Sequence, residues 1–287
     1  MIRVATRKSP LAQTQADLVI MKIRDELKIR AEKILIQTKG DIILDVTPDK
    51  IGEKGIFIKE LEKALIEAKA DCAVHSMKDL PTLMEEDFAI AAVPFREDPR
   101  DVFVSAKGVD FYELKKGAKV GTSSIRRALQ VKTLRPDVDV VPIRGNVETR
   151  IEKMEQEGMD GIILAAAGLR RLGISDKITN YFDVEEIIPA CGQGAIAVET
   201  LKDSEYYRIL KRIDDIDARL SVDAERRVLN LLDGGCNSPI CAHALISGDY
   251  MRLVGLNVKG GRIIKKAVEG KKEDYLILAE RLAEMLL

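Results

Sequence analysis

Arginines gather where the chain between Val120 and Arg150 passes from strand-like to helix-like patterning. The segment reads VGTSSIRRALQ and then VVPIRGNVETR, with Arg126 and Arg127 at the first junction and Arg144 and Arg150 at the second. A helix start carries positive partial charge and N–H groups without intrahelical partners, so cations placed there are unfavourable by themselves. An anion bound at the junction resolves both features. Arg7-Lys8 before Ser9, and Lys78 after the strand-like run ending at His75-Ser76, repeat the arrangement. The planar guanidinium fork suits carboxylate and phosphate alike. Neither G-x-x-x-x-G-K-[ST] nor G-x-G-x-x-G occurs, which lowers the nucleotide reading but leaves carboxylate and phosphate both open.

Two further residues bear chemistry. Asp79, in VHSMKDLP, follows a strand and is flanked by Lys78. A carboxylate there can act as acid, base or stabiliser of a cation, and the plainer alternative is a turn-capping aspartate before Leu-Pro. Asp41 and Asp45 are similar but weaker candidates. Cys236 stands in Gly-Gly-Cys-Asn-Ser-Pro, a loop composition that exposes a thiol for nucleophilic or attachment chemistry. Most free cysteines are instead small buried hydrophobes, the reading given to Cys72, Cys191 and Cys241. His75 and His243 are read as structural, and with no C-x-x-C pair no metal site is expected.

These residues need a scaffold of alternating strands and helices. Ile2–Ala5, Lys33–Gln37, Asp71–His75 and Phe88–Val93 read as strands, and Ser9 with Pro10 opens a helix. The long connection TKGDIILDVTPDKIGEKG has the length of a functional loop or lid. A crossing at 93–100 leads to a second alternating unit, and Pro189–Gly194 leads back to a strand from Ala195. Three short alternating segments and a last amphipathic helix follow Leu220. The expected division is 1–94 with 195–215, then 100–189, then 218–287. The fold class is α/β: two domains with mostly parallel sheets around a cleft, plus a small α+β domain. The 287 residues carry a formal net charge of -1, against nucleic acid as the main partner. With no membrane-length apolar run and no apolar leader, a cytoplasmic location is expected.

The motifs ATRKSPLAQTQA (5–16), KGIFIKELEKAL (54–65), AVHSMKDLP (73–81), VGTSSIRR (120–127), IRGNVETR (143–150), AAAGLRRLG (165–173), PACGQGAIAVE (189–199) and GGCNSP (234–239) together resemble the porphobilinogen deaminase family. The likeness runs in order along nearly the whole chain. It implies two periplasmic-binding-protein-like domains and a third bearing a cofactor cysteine. It implies a dipyrromethane cofactor held by a thioether to Cys236, and condensation of four porphobilinogen molecules to hydroxymethylbilane with loss of ammonia at each step. Porphobilinogen carries acetate and propionate groups, so the ligand would be a carboxylate. The resemblance further implies Asp79 as the catalytic residue, assisting loss of the amine and stabilising cationic intermediates. It places Asp79, Arg126, Arg127, Lys78, Ser76, Thr122, Ser123, Ser124, Arg144 and Gly145 on the cofactor. It places Arg7, Ser9, Arg144, Arg150, Lys54 and Gln193 on the substrate. A monomer without nucleic-acid or membrane partners is expected. The chain departs from the family's commoner choices at Glu53 and Asn237. The competing reading, a hinged two-domain anion-binding protein, accounts for the arginines and the double crossing but not for Asp79 or Cys236.

Overall fold

A computed structural model of the chain describes residues 1–37, 58–235 and 238–287. The expected lid with Asp41, Asp45, Glu53 and Lys54, and the pair Cys236-Asn237, lie outside the described residues. The chain divides into two compact units, Met1–Arg96 with Ala195–Arg219, and Glu97–Gly194 with Leu220–Leu287. The three boundaries follow Arg96, Gly194 and Arg219. The segment expected as a third domain, 218–287, groups with 97–194 for nearly all its length.

In the first unit the strands are β1 (Ile2–Arg7), β2 (Ala31–Ile36), β3 (Cys72–Ser76), β4 (Phe88–Ala92) and a returning strand, β10 (Ile196–Leu201). Their order is β2-β1-β3-β10-β4. β1 pairs in parallel with β2 and β3, whereas β10 runs antiparallel to β3 and β4. Helix α1 (Pro10–Lys22) starts with Ser9 in extended conformation and Pro10 at its first position, where a missing N–H costs nothing. Helix α2 is Lys59–Ile66. Val4 and Val74 pack with Ala16 and Val19 of α1, while Ala5 and Ala73 pack with Leu61 and Leu65 of α2. Neighbouring strand residues thus serve opposite faces, and burial on both faces explains the nearly unbroken apolar runs.

The second unit repeats the plan. Its strands are β5 (Asp101–Ser105), β6 (Lys119–Gly121), β7 (Asp139–Val141), β8 (Gly161–Ala165) and β9 (Asn180–Tyr181), in the order β7-β6-β8-β5-β9. β6 is parallel to β7 and β8, and β5 is antiparallel to β8 and β9. Helices α3 (Ile125–Leu134), α4 (Val147–Gln156) and α5 (Ala166–Arg171) follow β6, β7 and β8. Each five-stranded sheet has four strands in one direction and one reversed, the mostly parallel arrangement expected. In both sheets the reversed strand is the one that enters from a crossing.

A short helix, α6 (Glu205–Leu210), was not apparent from periodicity. After α7 (Ile216–Leu231) come β11 (Cys241–Ser247), β12 (Tyr250–Lys259) and β13 (Arg262–Lys271), an antiparallel meander, and α8 (Tyr275–Leu286). Gly260 and Gly261, with φ of 56° and 76°, form the two-residue hairpin turn between β12 and β13. Ala224 and Val228 of α7 and Leu278, Leu282 and Leu286 of α8 share one core with Ala242, Met251, Leu253 and Val268 of the sheet.

The second crossing is fixed by backbone contact. Gly194 has φ of 88°, and its carbonyl accepts from the Glu97 N–H at 3.0 Å and from Arg171 Nη2 at 2.6 Å. A Cβ on Gly194 would lie 2.2 Å from the Glu97 carbonyl oxygen. Gly194→Ala is therefore expected to destabilise the protein by on the order of 3 kcal/mol. Denaturant unfolding of the two proteins checks this, and equal midpoints would contradict it.

Candidate active site

In the first unit the expected site residues collect at one sheet edge. β1 and β3 are parallel, so Arg7 and Ser76 end neighbouring strands at the same edge. β10 is reversed, so its first residue, Ile196, lies opposite Ser76. Ser9 begins α1 from that edge. Ser76 leads into a single 3-10 turn, Met77–Asp79. The Met77 N–H donates to the Ala195 carbonyl at 3.0 Å, and the Leu80 N–H to the Met77 carbonyl at 3.2 Å. Met77 and Leu80 are buried, and between these apolar anchors Asp79 is exposed and Lys78 half-buried. The turn thereby presents a carboxylate to solvent on a rigid base. Ser76 Oγ accepts from Gln15 Nε2 at 2.9 Å, which ties the turn's entrance to α1.

Beneath that edge, His75 Nε2 and Glu199 Oε2 are 2.9 Å apart, both buried. His75 is thus an interior residue, as expected. Glu62 on α2 is also buried, and its carboxyl is raised to about 7. Burial is the main cause, Glu199 and Glu85 add to it, and His75 and Lys59 oppose it.

In the second unit Thr122, Ser123 and Ser124 form the bend from β6 into α3. Ser124 caps the helix, its hydroxyl accepting from the Arg127 N–H, and Asn146 caps α4 in the same way toward Thr149. Ser123 Oγ donates to the Ile143 carbonyl at 2.8 Å and accepts from the Ile143 N–H at 3.0 Å. That reciprocal pair joins the β6 bend to the β7 bend carrying Arg144 and Gly145. Arg150 Nε donates to the Gly145 carbonyl at 2.7 Å. Arg144 and Arg150 are half-buried.

Arg126 and Arg127, expected at the cofactor, are also engaged by the chain itself. They are 5% and 6% exposed and both bind Asp101, which is fully buried. The anion called for by cations at a helix start is here supplied by the chain. The reversed direction of β5 explains this, because its first residue, Asp101, pairs with Ala165 at the end of β8. Burial opposes ionisation of Asp101, yet Arg126 and Arg127 hold its carboxyl well below the usual carboxylate range. Gln193, expected on the substrate, is 1% exposed, and its Nε2 donates to the Pro99 carbonyl at 2.6 Å and to Asp101 Oδ1 at 3.0 Å. It serves the interior of the crossing.

Sequence reasoning missed Asp101. The available signal was an acid opening the apolar run Val102-Phe103-Val104. Glu225 was missed as well: fully buried in α7, it accepts from the Gly192 N–H at 2.7 Å and the Ala244 N–H at 2.7 Å, and lies 3.3 Å from His243 Nδ1. Gly235 and Ser238 flank the undescribed Cys236-Asn237, and the Ser238 N–H donates to the Gly235 carbonyl at 2.9 Å. Cys72, Cys191 and Cys241 are buried, and burial raises their thiols, that of Cys241 to about 12. Among the described residues no acidic, histidine or cysteine cluster fits a metal, and no helix is long and apolar enough to cross a membrane.

Two family models match the chain. "Porphobilinogen deaminase, dipyromethane cofactor binding domain" covers residues 2–208, and "Porphobilinogen deaminase, C-terminal domain" covers residues 219–287. The chain belongs to the porphobilinogen deaminase family. It is 53% identical over 285 residues to a porphobilinogen deaminase of Clostridium kluyveri, covering 99% of this chain and 98% of that protein. It is 51% identical over 286 residues to that of Clostridium acetobutylicum, covering 100% of this chain and 98% of that protein. Among solved structures, a nutrient binding protein from Burkholderia cenocepacia bound to methionine is 11% identical, with 76% of this chain and 93% of that chain covered and a TM-score of 0.46.

The raised carboxyl of Glu62 has a measurable consequence. The folded protein binds this proton more tightly than the unfolded chain, whose carboxyl titrates near 4.5. Glu62 therefore contributes stability at low pH that is lost as pH rises through about 7. Glu62→Gln is expected to match the parent at acid pH and to exceed it in stability at pH above about 8. Denaturant midpoints across that range test it, and parallel pH profiles for both proteins would exclude the effect.

Proposed function

We propose that this chain condenses four molecules of porphobilinogen, one at a time, on a covalently held dipyrromethane primer, releasing ammonia at each step and finally hydroxymethylbilane. The observation that carries the reading is Asp79, an exposed carboxylate on a rigid turn at a sheet edge that also holds Arg7, Ser9 and Lys78. Family membership over 2–208 and 219–287 gives that carboxylate its reaction. A non-catalytic anion-binding protein has no use for it and is disfavoured.

Dipyrromethane supplies the pyrrole carbon to which the first substrate is joined. The donors present suit it: cationic side chains, hydroxyls and helix-start N–H groups match a ligand rich in carboxylates. Cys236 would hold it as a thioether, with Arg126, Arg127, Lys78, Ser76, Thr122, Ser123, Ser124, Arg144 and Gly145 receiving its polar groups. Arg7, Ser9, Lys54, Arg144 and Arg150 would receive the carboxylates of the incoming substrate. Gln193 acts through Asp101 in this scheme.

Asp79 performs the proton work. Its carboxylate lies against the positive charge that develops on the substrate as ammonia departs, and lowers the cost of that charge. It would then accept the proton lost from the acceptor pyrrole carbon as the new carbon–carbon bond forms. Without a carboxylate, the cations that hold the substrate would raise the energy of that developing charge.

We assign the three functional domains to 1–94 with 195–215, 100–189 and 218–287. The protein works as a cytoplasmic monomer without nucleic acid, in keeping with its formal net charge of -1.

Asp79→Asn is expected to keep the mass added by the primer and to lose about a hundredfold or more in turnover. Turnover at the parent rate would remove Asp79 from the mechanism. The parent protein is expected to carry a two-pyrrole mass excess that Cys236→Ala lacks. The same excess on both proteins would place the attachment elsewhere.

A further inference from the structure

Adjacent guanidiniums in a protein interior repel each other and forgo hydration, so burying two of them needs a specific partner. Arg126 and Arg127 share one. Asp101 Oδ2 accepts from Arg126 Nη1 at 2.6 Å. Asp101 Oδ1 accepts from Arg127 Nε at 3.0 Å, from Arg127 Nη2 at 2.7 Å and from Gln193 Nε2 at 3.0 Å. Backbone carbonyls fix each guanidinium a second time, Ile188 to Arg126 Nη1 at 2.7 Å and Ile163 to Arg127 Nη1 at 3.0 Å. The carbonyl of Ile188 also accepts from Gln130 Nε2 at 3.1 Å. Both planes are therefore set by main chain and by one carboxylate from β5.

The charge balance is informative. One carboxylate facing two guanidiniums leaves a single net positive charge. A purely structural ion pair needs only one arginine, and the second adds repulsion and desolvation. Each guanidinium has five N–H donors. Arg126 uses Nη1 for both of its bonds, and among the described residues Nε and Nη2 of that arginine have no bond to the chain. Arg127 uses Nε and one hydrogen on each Nη. The group is held on one side and retains donors and charge for one more carboxylate.

We propose that Asp101 is a positioning residue of the dipyrromethane site: it neutralises half of the Arg126–Arg127 charge and fixes both guanidinium planes, so that the site stands ready before the cofactor is attached. The inference rests on the reading above that the two arginines receive cofactor carboxylates. Its physical content is preorganisation, since donors already fixed in place lose less freedom when the ligand arrives. It opposes the simple charge argument, by which removing Asp101 doubles the net charge and draws carboxylates in more strongly.

The test follows cofactor uptake by mass. Cofactor-free protein, produced in cells unable to make porphobilinogen, is incubated with porphobilinogen, and the two-pyrrole mass gain is followed in time. Asp101→Asn is nearly isosteric and removes the charge. It is expected to take up the cofactor at least tenfold more slowly than the parent. Asp101→Glu keeps the charge but displaces the planes, and is expected to fall between the two. Phe103→Leu, in the core of the same strand, supplies a control of similarly lowered melting temperature and should load at the parent rate.

Loading of folded Asp101→Asn at or above the parent rate would overturn the proposal, as would an equal slowing in Phe103→Leu. If Asp101→Asn does not fold, Asp101→Glu decides: slow loading at matched stability supports the proposal, and parent-rate loading overturns it. Arg127→Leu separates this inference from the reading beneath it. Slow loading there with fast loading in Asp101→Asn removes only the role of Asp101. Fast loading in Arg127→Leu removes Arg127 from the cofactor, and the proposal with it.

Discussion

One reversed strand in each five-stranded sheet sets the positions of the candidate site residues. In a parallel sheet only carboxyl ends of strands gather at the ligand-binding edge. β10 and β5 enter against that direction and bring their amino ends to the same edge. In the first unit this places the Ala195 carbonyl where the Met77 N–H can bind it, which anchors the turn bearing Asp79. In the second it places Asp101 beside the start of α3, within reach of Arg126 and Arg127. Reversal follows from connectivity: each of these strands enters its sheet from a crossing. The double crossing thus gives each edge polar groups that a purely parallel sheet could not supply.

A consequence is that the arginines fall into two kinds. Arg126 and Arg127 are buried, oriented and half neutralised from within. Arg7, Arg144 and Arg150 are half-buried at strand or helix ends. A ligand that gains acidic groups as it grows presents a difficulty for a uniformly cationic site, because charge sufficient for the last stage would repel itself at the first. An internal carboxylate moderates that repulsion where burial makes it largest. At positions nearer solvent, water and salt also screen that repulsion.

The sequence showed the strands and helices well but could not show their direction. Apolar runs such as Val102–Val104 and Ile196–Val198 mark buried strands whichever way they point. Direction depends on pairing, which is a long-range property. Asp101 was therefore assigned no role, and its pairing with Arg126 and Arg127 was not foreseen. Helix α6 escaped notice because it is six residues long and its Tyr206-Tyr207 pair has strand-like propensity. The small C-terminal meander was easier, since its turns at Gly248-Asp249 and Gly260-Gly261 carry their own local signals. Asp79 was identified through its motif, but its exposure was not derivable from the motif. It depends on Met77 and Leu80 being buried to either side.

Backbone anchoring underlies the arrangement of the candidate site. The turn of Asp79 is held by main-chain bonds from Met77 to Ala195 and from Leu80 to Met77, together with two apolar anchors. The bends at Ser123 and Ile143 are held by one hydroxyl bonded to both main-chain groups of a single residue. Glu225 likewise binds two backbone N–H groups, at Gly192 and Ala244. In the first two cases a backbone group is fixed first, and the position of Asp79 or Arg144 follows from it. Such contacts change little when an exposed side chain is replaced, so a substitution at Asp79 leaves the scaffold in place. A change at Met77 or Ser123 acts the other way, displacing the turn of Asp79 or the bend that carries Arg144 without altering either side chain.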